Sequence, residues 1–63
     1  MKATISLTYN DSKVAFFEVV TESSEKKDIA LIEMVTRGTL MASNAKYAHA
    51  YNEDGFDICS YKK

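Results

Sequence analysis

His49, Asp57 and Cys59 carry the side chains of this chain best suited to acid-base or nucleophilic chemistry, and several serines add hydroxyls. For such groups to work, a nucleophile must sit within hydrogen-bond reach of an oriented base, in a cleft that limits water. Sets of this kind occur in almost any chain of 63 residues. The spacing here counts against a working pair, because the hairpin read below sends His49 and Cys59 to opposite faces of a sheet. His49 then reads as a partly buried strand residue and Cys59 as a small packing residue. No catalytic residue is assigned, and a non-enzymatic protein is expected. The same two residues are the single histidine and the single cysteine, too few ligands for a structural zinc site. No phosphate loop, dinucleotide fingerprint or calcium loop occurs, so neither metal nor cofactor is expected.

Binding chemistry is better represented. Phe16, Tyr47, Tyr51 and Tyr61, with the acids Glu53, Asp54 and Asp57, form the expected contact set for another protein or protein complex. Tyrosine suits that role because it offers area and a hydroxyl while losing little conformational entropy. Nucleic acid is the alternative partner: Lys46 beside Tyr47, and Tyr61 before Lys62 and Lys63, interleave stacking and phosphate-binding groups. The charge balance weakens it. Eight basic and nine acidic residues give a net charge of −1, a poor footprint for a polyanion binder.

The elements that must position these residues begin with a strict alternation. Ala3, Ile5, Leu7 and Tyr9 alternate with Thr4, Ser6, Thr8 and Asn10, the period of a strand buried on one face. Asn10, Asp11, Ser12 and Lys13 supply turn chemistry, and Val14 to Val20 form a second strand. Both faces of that strand are apolar, with Val14, Phe16 and Val20 on one and Ala15, Phe17 and Val19 on the other. Such a strand is expected inside a sheet, or else one phenylalanine belongs to an exposed patch.

A helix is expected from near Ser24 to Ser43 or Asn44, with Ser23 and Ser24 as N-cap residues and Leu31, Ile32 and Val35 at the centre of its buried stripe. An alanine-rich continuation as far as Asn52 competes. Length opposes it, since such a helix would span about 43 Å and outrun so small a sheet. Asn52, Glu53, Asp54 and Gly55 then have the composition of a type I turn closed by a left-handed glycine. The register this implies sets Tyr51 opposite Phe56, His49 opposite Ile58 and Tyr47 opposite Ser60. On apolar area, the face with Tyr47, His49, Tyr51, Phe56 and Ile58 is expected to be the buried one. The competing arrangement puts Ala48, Ala50 and Cys59 under the helix and leaves the aromatic face open.

The expected fold is therefore α+β: one compact domain over residues 1–63, β-β-α-β-β, an antiparallel sheet with one helix packed on one face. Strand orders 2-1-3-4 and 1-2-4-3 both satisfy the connectivity, with the second strand favoured for an interior place. In a chain this short, apolar burial and the entropy of ordering nearly cancel. A larger target or a homodimer is the expected source of further burial, since one cysteine excludes an internal disulfide. The first residues lack a signal-peptide pattern and no stretch reaches the ~20 apolar residues of a membrane span. A reducing cytoplasm is the expected setting.

In size and layout the chain resembles small inhibitors made by phages and other mobile elements, such as anti-CRISPR proteins, antitoxins and inhibitors of host polymerases. That resemblance implies action by occupying the surface of a larger host complex. It rests on general layout and assigns no residue.

Overall fold

A computed structural model describes all residues, 1–63. Strands β1 (Lys2–Thr8) and β2 (Val14–Val20) precede helix α1 (Lys26–Ala42), and β3 (Tyr47–Asn52) and β4 (Asp57–Lys62) follow it. The four strands form one antiparallel sheet in the order β2-β1-β3-β4, with α1 on one face. This is the expected β-β-α-β-β layout. No helix is long and apolar enough to cross a membrane.

β1 anchors the core as its alternation predicts: Ala3, Ile5 and Leu7 are buried and their neighbours are not. Register then decides which face of every other strand joins them. Ile5 pairs with Phe17 on one side and Ala50 on the other, and Leu7 pairs with Ala15 and Ala48. The helix therefore lies over Ala48 and Ala50, both fully buried, with Ile32, Thr36 and Leu40 pressed against the sheet. The buried Thr36 hydroxyl donates to the Ile32 carbonyl at 2.6 Å, which satisfies a group that would otherwise be costly to desolvate.

The expected burial of Tyr47, His49 and Tyr51 is thus corrected. Small alanines let the helix approach closely, while Ile5, Leu7, Ile32 and Leu40 supply the apolar volume. The tyrosines keep their hydroxyls toward water. The β3–β4 register also differs from expectation. The turn closes on Asn52 and Phe56, Tyr51 pairs with Asp57, and a bulge follows so that Ala50 pairs with Cys59 and His49 with Ser60. The extra residue, Ile58, packs with Cys59 against the helix-side core. Two consecutive apolar residues can share a face only at such a bulge.

Two further expectations change. β2 is an edge strand rather than an interior one: Phe17 and Val19 reach the core, but Val14, Phe16 and Val20 stay exposed. The helix begins two residues later than expected, at Lys26. Its N-cap is Glu25, whose side chain makes no capping bond, and the Ser23 hydroxyl donates instead to the Asp28 carboxylate. The buried stripe runs through Ile32, Thr36 and Leu40, leaving Leu31 41% exposed. At the other end Ser43 closes the helix, its N–H and hydroxyl both donating to the Leu40 carbonyl.

The two hairpin turns prove to be the same device. In the first, the N–H groups of Tyr9 and Ser12 donate to the carbonyls of Lys13 and Tyr9; in the second, those of Asn52 and Gly55 donate to Phe56 and Asn52. Ser12 and Gly55 occupy equivalent places and both have positive φ, 68° and 85°. A Tyr-Asn dipeptide occurs at both turns, as Tyr9-Asn10 and Tyr51-Asn52, but one residue out of step, since Tyr9 is the equivalent of Asn52.

Candidate interaction surface

The sheet face opposite α1 carries no covering element. Pairing lays its residues out in rows from β2 to β4: Val14, Thr8, Tyr47 and Lys62; Phe16, Ser6, His49 and Ser60; Glu18, Thr4, Tyr51 and Asp57. Along β1 the floor is small and hydroxylated, and Thr4, Ser6 and Thr8 are all half-buried. On one side of that floor stand Phe16 and Glu18. On the other, Tyr47, His49 and Tyr51 form a continuous row of rings, with centroids 6.5 Å and 5.3 Å apart. The result is an open face with an aromatic row on one side, an apolar and a charged residue on the other, and a central strip able to donate and accept hydrogen bonds.

Charge is distributed in pairs. Asp57 Oδ1 lies 2.7 Å from His49 Nε2, a contact created by the bulge, which brings Asp57 onto the open face. No third carboxylate, histidine or cysteine joins it. Lys2 Nζ meets Glu18 Oε2 at 2.8 Å, and the hydrogen bond and charge of Glu18 raise the Lys2 pKa above its usual value. Both partners are about half exposed, so the pair orients side chains more than it stabilises the fold. The Lys2 backbone N–H donates to Glu53 Oε1 at 3.0 Å, tying the second turn to β1. Acids gather at that end, through Glu53, Asp54 and Asp57. Lys46, Lys62 and Lys63 lie at the other.

The structure gathers most of the expected contact residues. Phe16, Tyr47, Tyr51 and Asp57 share the open face, and Glu53 and Asp54 stand in the turn at its end. Tyr61 belongs to the other side: it pairs with Ala48, packs against the core near Leu7, and lines a shallow groove with Arg37, Gly38 and Met41. Burial raises the pKa of its phenol, as it raises that of the neighbouring Cys59 thiol above the ordinary 9.0. Cys59 and His49 point to opposite faces, as the sequence implied. Thr4, Ser6, Thr8, Lys2 and Glu18 also belong to this face, although the sequence does not single them out. Their signal was present in the polar half of the β1 alternation, which must face away from the core and toward whatever β3 presents beside it.

No protein-family model, curated protein or solved structure matches this chain.

Proposed function

We propose that this chain is a non-enzymatic protein-binding module that docks through the open face of its sheet. The observation that carries the reading is the uncovered row of Tyr47, His49 and Tyr51 beside a small polar floor, with Phe16 64% exposed across from it. Aromatic groups on a rigid strand lose little entropy on contact and combine apolar area with hydroxyl and imidazole hydrogen bonding. A sheet held by β1 keeps them preorganised, which lowers the cost of association. The acidic turn end, with Glu53, Asp54 and Asp57, fits a partner with basic groups at the matching position. The finer reading is an inhibitor that occludes a larger complex in a reducing cytoplasm, in the manner of small phage and mobile-element proteins. It draws on compact size, a lone thiol and a face with no deep cleft.

Nucleic acid is the second reading. It rests on ring spacing along β3, which is compatible with base stacking, and on Lys46, Lys62 and Lys63 at one end. The intervening carboxylates count against it.

Capture from host lysate with wild type, with a Phe16→Asp, Tyr51→Ala double variant, and with Met34→Asp on the helix tests the reading. Proteins retained by wild type and Met34→Asp but lost by the folded double variant are expected. Equal recovery by all three would contradict the open face as the contact surface. A salt-dependent shift of single-stranded DNA or RNA, reduced by Tyr51→Ala, would favour the second reading instead.

A further inference from the structure

The free edge of β2 is complementary to itself. Met1 and Thr21 exchange backbone hydrogen bonds, at 2.7 Å in each direction, and the Tyr9 N–H donates to Lys13 at 2.9 Å. Antiparallel pairing alternates between hydrogen-bonded and non-bonded pairs, so Ala3 with Val19, Ile5 with Phe17 and Leu7 with Ala15 are the bonded pairs of this ladder. The backbone groups of Val14, Phe16, Glu18 and Val20 therefore point outward, away from β1, and no strand of the chain meets them.

Natural sheets blunt such an edge with proline, lysine, bulges or a covering segment. β2 has none of these. It is seven residues long, regular against β1, and charged only at Glu18, while Val14, Phe16 and Val20 are 47%, 64% and 75% exposed. The helix lies over β3 and β4 rather than β2, so nothing on that face obstructs a neighbour.

We propose that two copies of this chain pair antiparallel through β2, about a two-fold axis at Phe17, to form a continuous eight-stranded sheet. A two-fold pairing must match residue i with j at constant sum, and the outward groups restrict both to 14, 16, 18 and 20. Centring on Phe17 matches Val14 with Val20 and Phe16 with Glu18, and uses every outward donor and acceptor. Centring on Glu18 sets two carboxylates opposite each other. Centring on Phe16 leaves Val20 without a strand partner. The Phe17 centre also brings Lys13 of each copy alongside the Thr21 and Glu22 end of the other, a favourable charge match. The resulting interface is isologous and closed, and it doubles the open face without covering Tyr47, His49 or Tyr51.

Sedimentation equilibrium between about 10 µM and about 1 mM tests association, with two variants. Glu18→Pro removes one outward N–H and no bond to β1, a change that edge strands tolerate. Val20→Lys places a charge on the edge while leaving the backbone intact. A reversible dimer is expected for wild type, with a dissociation constant raised on the order of tenfold or more by each variant and with unchanged circular dichroism. A wild type monomeric throughout, or a dimer indifferent to both variants, overturns the proposal.

Register is read separately in a Cys59→Ala background. A mixture of Ala15→Cys and Val19→Cys chains is expected to form a mixed disulfide under oxidised glutathione. Residues 15 and 19 face each other as a non-bonded pair, with Cα atoms about 4.5 Å apart. Ala15→Cys alone should link poorly, its two sites lying about 13 Å apart along the strands. Efficient linking of Ala15→Cys to itself would overturn the Phe17 centre.

Discussion

The sheet ends in two strands of similar length and opposite construction. β4 carries a bulge at Ile58. Its outward backbone positions are Ser60 and Lys62, since Lys63 and, by alternation, Tyr61 and Cys59 bond inward to β3 and its approach. A bend and a terminal lysine cluster make that edge a poor template for another strand. β2 is straight in register, apolar and uncharged but for Glu18. Between the two edges, exposed large apolar side chains fall on β2, at Val14, Phe16 and Val20, and none falls on β4. The bulge that closes the β4 edge is the same feature that swings Asp57 to His49, so edge protection and site geometry come from one inserted residue.

The largest effect that can break this comparison is on stability. Ile5→Ala removes a fully buried side chain beneath both hairpins and should cost about 2–5 kcal/mol in urea unfolding. Phe16→Ala in dilute solution, where the chain is a monomer, should stay within about 0.5 kcal/mol. Comparable losses from the two would mean that β2 packs as a core strand.

Turn variants sharpen the comparison between the hairpins. Gly55→Ala forces a Cβ into a positive-φ position and should cost about 1 kcal/mol. Ser12→Gly relieves the same backbone in the β1–β2 turn and should stabilise by about 0.5 kcal/mol after the added chain entropy of glycine. Thermal unfolding of both variants measures the pair. A loss of stability for Ser12→Gly would contradict the equivalence of the turns.

The smallest effect concerns pH at the β4 side. Burial holds the Cys59 thiol above its ordinary pKa, so the folded state keeps its proton more tightly than the unfolded chain does. The associated stability is complete below the ordinary thiol range and declines as pH rises through it. Cys59→Ala should flatten that part of the stability profile, and alkylation of Cys59 at pH 8 should be slower in the folded protein than in urea. Equal rates would contradict a shielded thiol.

The general layout was legible because its signals are local. The alternation of β1, the turn residues Asn10 to Lys13 and Asn52 to Gly55, and the periodicity around Ile32 each depend on neighbours within a few positions. The open face was misread because its identity is settled at a distance. Ala48 and Ala50 face the helix through their register with Leu7 and Ile5, and the bulge at Ile58 turns Asp57 to the open face and Ile58 to the core while Cys59 and Tyr61 stay on the alanine face. Area favoured burying Tyr47, His49 and Tyr51, yet the helix needed small residues to settle on. The doubly apolar β2 reads as interior for a related reason: composition does not report whether a strand's second apolar face is covered, and here Val14, Phe16 and Val20 are left exposed. Of the expected contact residues, Phe16, Tyr47, Tyr51 and Asp57 lie together, whereas Tyr61 lies on the helix side because it shares the face of Ala48 and Ala50, which the helix covers.

Residue-resolved amide hydrogen exchange, followed by NMR at low and high protein concentration, tests most directly whether β2 is built to be paired from outside. In dilute solution the amides of Ala15, Phe17 and Val19 should exchange slowly and those of Val14, Phe16, Glu18 and Val20 quickly, and on concentration the second set should become protected while β4 does not change. Slow exchange along all of β2 in dilute solution, or no gain in protection at high concentration, would contradict the account.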